Sequence, residues 1–182
     1  MAVVIVIVVV VLLALVLVMS YNGLIRLKNK VDSAWAQIDV QLKRRYDLIP
    51  NLVETVKGYA AHEKGTLEAV IAARNSAMTA QGPAAQAGAE NALSGTLKSL
   101  FALSEAYPDL KANTNFLNLQ EELTSTEDKV AYARQFYNGV VQDFNTKIQV
   151  FPSSLLAGMA KCTPREYFKT DDAERGPVKV QF

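Results

Sequence analysis

The run from Ala2 to Met19, AVVIVIVVVVLLALVLVM, constrains this chain more than any other stretch. No charge, proline or strong hydrogen-bonding side chain interrupts it. As a helix rising ~1.5 Å per residue it reaches roughly 27 Å, close to the ~30 Å hydrocarbon core of a bilayer. In lipid an isolated segment satisfies its backbone groups only as a helix, whatever the strand preference of valine. A buried core strand would be shorter, and a buried core helix would normally carry a polar face. The run therefore predicts a membrane helix over residues 1–20.

Retention is expected. No basic residue precedes the run, it exceeds the ~7–15 residues of a signal h-region, and Val18-Met19-Ser20-Tyr21 is a poor cleavage site. Cys162 is too distant to carry an N-terminal lipid. Arg26, Lys28 and Lys30 are the first charged side chains after the span. The positive-inside rule then puts the N-terminus outside and the rest in the cytoplasm.

Beyond the span, about 160 residues suffice for one domain with a core. A formal net charge of +1 offers no basic field for nucleic acid. A single cysteine excludes an intramolecular disulfide.

From Ser20 the pattern becomes helical. Leu24, Leu27, Val31, Trp35, Ile38 and Leu42 recur at spacings of three and four. The membrane helix is thus expected to run on into a first bundle helix, ending at Lys43-Arg44-Arg45, whose cations suit the C-terminal dipole. Asp47-Leu48-Ile49-Pro50-Asn51 predicts a break, since proline disfavours helical geometry at Ile49. A kinked single helix is the alternative. A second helix is expected from Pro50 to Thr79, with Leu52, Val56, Tyr59, Leu67, Val70 and Ile71 inward. Gln81-Gly82-Pro83 marks a loop, and a third helix follows with Leu93, Leu97, Leu100, Phe101 and Leu103, ending near Ala106. Phe116, Leu123, Val130, Tyr137, Phe144 and Phe151 recur at heptad spacing, with Leu119, Thr126, Ala133 and Val140 between them. This a/d seam, of coiled-coil type, predicts one long helix from Asn113 to Gln149.

The fold class expected is all-α: an N-terminal transmembrane helix continuing into an antiparallel four-helix bundle, with an irregular C-terminal tail. The divisions are 1–20 for the anchor, 21–151 for the bundle and 152–182 for the tail. Up-down-up-down topology returns the tail to the membrane base, and Pro177–Phe182 reads as a short extended segment.

No catalytic or metal constellation emerges. A di-iron bundle needs paired Glu-x-x-His motifs, but the only histidine, His62, has Tyr59 three places before it. His62 and Cys162 make a poor zinc set, and no phosphate-binding glycine loop or nucleophile elbow is present. Glu121, Glu122, Glu127 and Asp128 fall mostly off the seam and read as a solvated face. No catalytic, cofactor or metal residues are assigned.

The chain resembles the LemA family of bacterial membrane proteins. The resemblance rests on Tyr21-Asn22-x-Leu24, Val31-x-x-Ala34-Trp35-x-x-Ile38-x-Val40-x-Leu42-x-Arg44-Arg45, Asp47-Leu48-Ile49-Pro50-Asn51-Leu52-Val53 and Val56-Lys57-Gly58-Tyr59. It continues through Glu105-Ala106-Tyr107-Pro108-Asp109-Leu110-Lys111-Ala112, Asn115-Phe116-x-x-Leu119-Gln120, Arg134-Gln135-Phe136-Tyr137-Asn138, Phe144-Asn145-Thr146 and Phe151-Pro152. It implies a single-span bacterial inner-membrane protein with a helical bundle, an outside N-terminus and no established enzymatic activity. Magnetosome-membrane relatives belong to the same group. Arg45, Asp47, Asn51 and Asn138 are expected to serve as caps and bundle ion pairs. The function expected is that of a non-enzymatic, self-associating scaffold whose partners are the lipid bilayer, further copies of itself and another membrane protein. A sensor or adaptor module is the alternative.

Overall fold

The computed structural model describes residues 1–169, and among these every regular element is a helix. Six follow in order: α1 (Ala2–Lys57), α2 (Lys64–Thr79), α3 (Pro83–Ser104), α4 (Pro108–Lys111), α5 (Thr114–Lys147) and α6 (Ser153–Ala157). The extended segment expected at Pro177–Phe182 lies outside the described residues. The chain packs as two compact units. One comprises Met1–Ile38 with Ala133–Tyr167, and the other contains Asp39–Tyr132 together with Phe168.

In the first unit, the opening of α1 carries the apolar run, none of it buried. Burial of α1 begins at Leu24 and continues through Val31, Ala34 and Ile38. The facing stripe on α5 is Ala133, Tyr137, Val140, Val141 and Phe144, all buried. Trp35 meets Tyr137 edge-to-face at 5.3 Å between ring centroids, a geometry worth ~0.5–1.5 kcal/mol beyond its burial.

The second unit holds the four-helix cross-section: the later part of α1, then α2, α3 and the earlier part of α5. The a/d seam of α5 emerges as read, with Phe116, Leu123, Thr126 and Val130 buried. Asn113 caps this helix, its Oδ1 accepting the Phe116 N–H at 3.0 Å. Gly82 takes φ +84°, a left-handed conformation that costs other residues dearly, and Pro83 then starts α3. Tyr107 precedes the short α4, with Pro108 in its first turn.

The expected break at Asp47–Asn51 does not occur. Ile49 is helical and fully buried, and α1 passes through Pro50 to Lys57 before turning. The second helix begins at Lys64 rather than Pro50. Leu42, Arg45, Tyr46, Ile49, Leu52, Val53 and Val56 form one unbroken buried stripe. At ~1.5–3 kcal/mol for each large apolar side chain, that stripe outweighs the ~3 kcal/mol cost of an interior proline. Asp47 and Asn51 are consequently exposed mid-helix residues, not caps. The bundle helices also differ in length more than expected. Tyr59 and Ile71, expected inward, are 43% exposed each, and Phe151 is exposed rather than closing the seam.

Candidate functional site

Two features stand out: the exposed apolar start of α1 and a buried polar network in the four-helix unit. Every large side chain from Val3 to Met19 is exposed, from 39% at Leu17 to 73% at Met19. Such a surface is stable only in an apolar surrounding, and its length suits a bilayer.

The polar network begins with Arg45, 2% exposed and lying on the apolar stripe of α1. Its Nη1 donates to Glu90 Oε2 at 2.8 Å and its Nη2 to Ser94 Oγ at 2.8 Å. Glu127 stands 3.9 Å from the same Nη2 and accepts from Ser94 Oγ at 3.3 Å. Tyr46 donates its hydroxyl to Glu90 Oε1. Gln86 Nε2 donates to the Tyr46 hydroxyl at 2.8 Å, Glu90 Oε1 at 3.2 Å and the Ala77 carbonyl at 3.1 Å. Burial, reinforced by the bond to the Glu90 carboxylate, pushes the Tyr46 phenol well above its ordinary pKa. The hydroxyl therefore stays protonated and donating at neutral pH. Arg45 Nε and, one turn earlier, Gln41 Oε1 are buried without a hydrogen-bond partner.

This network joins α1, α3 and α5 through one arginine and the end of α2 through Gln86. Its buried charges, Arg45 and Glu90, are paired with each other, which ties these helices together. The Lys43-Arg44-Arg45 triplet was expected in a last helical turn, with Arg45 also expected in a cap or bundle ion pair, and Arg45 does form an ion pair with Glu90. Arg44 does pair with Glu122 near the surface, but Arg45 is a core residue. Glu122 and Glu127 join these ion pairs from the solvated face, where Glu127, Glu121 and Asp128 are exposed. Glu90, Gln86 and Tyr46 went unread. The available signal was phase: Leu100, Leu97 and Leu93 projected backwards land on Glu90 and Gln86.

A second cluster surrounds the turn after α1. Tyr107 donates to Glu63 at 3.1 Å, a bond that raises the pKa of its phenol, and Asn113 Nδ2 donates to the Tyr59 hydroxyl at 2.9 Å. In the first unit, Asn145 holds the backbone of Arg165 from both sides: Nδ2 donates to its carbonyl at 2.9 Å, and Oδ1 accepts its N–H at 2.8 Å. Arg165 in turn reaches Asp32 at 3.0 Å, and Tyr137 donates to the Glu166 carbonyl at 2.9 Å.

His62 is exposed in the turn between α1 and α2, while Cys162 is buried in the first unit. Among the described residues, no group of three or more His, Cys, Asp or Glu is placed to hold a metal ion.

An all-α chain with an apolar leading helix and an arginine-centred buried network is the class of protein so defined. Residues 34–182 match the family model described as LemA family, and the chain belongs to that family. It is similar to "Protein LemA" of Metamycoplasma hominis, 27% identical over 161 residues, covering 86% of this chain and 72% of that protein. It is also similar to "Magnetosome protein MamQ 2" of Paramagnetospirillum magneticum, 24% identical over 188 residues, covering 89% of this chain and 69% of the relative. "Magnetosome protein MamQ" of Magnetospirillum gryphiswaldense is 23% identical over the same shares. None of these is an enzyme name. The apolar helix and the family together point to a membrane-associated protein.

Proposed function

We propose that this protein is a non-enzymatic, self-associating scaffold of the bacterial inner membrane, with its N-terminus outside and its bundle in the cytoplasm. The observation that carries this reading is the continuity of α1, a single 56-residue helix that begins as the apolar run and ends as a bundle helix. A flexible tether would leave neighbouring bundles unrelated. A continuous helix lets lateral order in the bilayer become order among bundles. The buried network supports a structural role, because its polar groups are spent on one another. Val40 and Tyr132, 63% and 74% exposed in the four-helix unit, offer apolar surface for a neighbour. Arg26, Lys28 and Lys30 support the orientation. Kinship with proteins named for the magnetosome agrees with a membrane-organising task. Native mass spectrometry of the full chain in mild detergent tests the proposal: defined oligomers are expected, and monomers at every concentration would overturn it.

A second reading, as an adaptor, rests on a groove of about 350 Å³ lined by Leu48, Asn51, Thr55, Asn115, Asn118, Leu119 and Glu122. Its amides offer donors and acceptors to a partner. A photocrosslinker at Asn118 separates the two readings in cells. Crosslinks to a different protein favour the adaptor, and crosslinks to the same chain favour the scaffold.

A further inference from the structure

Phe151, Leu155 and Met159 recur at four-residue spacing along α6 and its flanking turns, and they are 79%, 66% and 75% exposed. The other side of the segment faces inward, with Ser153, Ala160 and Cys162 buried. The backbone holds this arrangement. Ser154 N–H bonds the Val150 carbonyl, Ala160 N–H that of Leu156 and Cys162 N–H that of Ala157, each at 2.9 Å. A segment that buries small and polar side chains while presenting its large apolar ones is built for an apolar surrounding.

Its place in the first unit says which. Arg44 pairs with Glu122 and Trp35 lies against Tyr137, so α1 and α5 run antiparallel. From Tyr137 to Lys147, α5 advances roughly 15 Å back along α1, so its end falls opposite the region of Ile25. Ile25 lies only six residues past the end of the apolar run, and Phe151 follows the end of α5 by four residues. Charge agrees with lipid. Residues 20–31 and 144–164 carry Arg26, Lys28, Lys30, Lys147 and Lys161 and no carboxylate. Cations at headgroup level suit anionic lipid, whereas a second copy would bring the same cations against them.

We infer that Phe151, Leu155 and Met159 insert into the headgroup–acyl boundary beside the emerging α1, giving the protein a second, monotopic contact with the same bilayer face. Apolar rows of this kind sink ~5–10 Å below the headgroups. The inference rests on the apolar run being a membrane span, not on self-association.

The test uses the full chain carrying Cys162→Ser, reconstituted in phosphatidylcholine–phosphatidylglycerol vesicles. Nitroxide labels are placed singly at Val10→Cys, Met159→Cys and Lys98→Cys. Labels at positions 10 and 159 are expected to collide with oxygen several-fold more, relative to a water-soluble nickel chelate, than the label at position 98. Lipid at position 10 with water at position 159 overturns the inference and leaves the span standing. A position-159 label shielded from both quenchers also overturns it, because protein then covers the row. Water at position 10 removes the span and the inference together.

Discussion

Arg74 Nε donates a 2.8 Å hydrogen bond to the carbonyl of Tyr46, the oxygen that Pro50 leaves without its helical donor. In an α-helix the N–H of a residue bonds the carbonyl four places earlier, and proline has no N–H to give. An arginine on α2 supplies it instead. Pro50 itself is exposed, so its ring does not disturb the buried stripe.

Arg74→Ala is therefore expected to cost ~1–2 kcal/mol, the usual penalty for a polar group deprived of its partner. Pro50→Ala restores the backbone donor and should shrink that cost. Thermal unfolding of the four combinations, followed by circular dichroism in detergent, measures the coupling. Equal costs in both backgrounds would show that Arg74 acts elsewhere.

Glu90→Ala should destabilise by ~3–5 kcal/mol, because it strands a buried guanidinium. The double replacement Arg45→Met with Glu90→Leu should cost less than Glu90→Ala alone. Urea unfolding distinguishes these outcomes. Additive losses would mean that the two residues do not form a unit.

Tyr46 titrates with a definite sign. Its folded-state pKa lies above the ordinary 10.0, chiefly through burial. The stability linked to its proton is whole below pH 10 and drains away as pH rises beyond it. Tyrosinate absorbance of the wild type and of Tyr46→Phe should coincide at alkaline pH while the chain stays folded, because Tyr46 keeps its proton there. Tyr46→Phe should flatten the alkaline fall in stability. An unchanged alkaline profile in that variant would contradict the assignment.

Asn145→Ala removes both bonds to the Arg165 backbone. Trypsin should then cut several-fold faster after Lys161 or Arg165, while bundle melting changes little. If cleavage is unaffected, Asn145 does not strap the tail.

Orientation is open to a labelling experiment that avoids the buried Cys162. With Cys162→Ser and Gln81→Cys in the exposed loop before α3, an impermeant maleimide should label the chain only after cells are opened. Labelling of intact cells would reverse the topology.

How far the sequence was legible depended on whether a position obeyed one rule or two. The apolar run and the α5 seam each repeat a single pattern, so both were readable; every seam position from Phe116 to Phe144 is buried except the half-buried Leu119. Pro50 and Arg45 set a local preference against a tertiary one. Proline signals a break, and three adjacent cations signal a surface. Ile49, Leu52 and Val56 outweighed the first signal, and Glu90 neutralised the second. Both answers depended on residues of α2 and α3, remote in sequence. Tyr59 was misplaced because it falls in the turn after α1, and Ile71 because it lies at the edge of the face that buries Leu67, Val70 and Ala77. Phe151 continued the heptad arithmetic after the helix carrying it had ended at Lys147.

The side chains from Val3 to Met19 are apolar all the way round their helix. To a surrounding lipid this is an apolar cylinder without a polar stripe. Lipid can therefore set how deep the cylinder sits and has almost no grip on its azimuth. Any preferred rotation about the membrane normal must come from side chains after Met19, where the cylinder first acquires distinguishable sides.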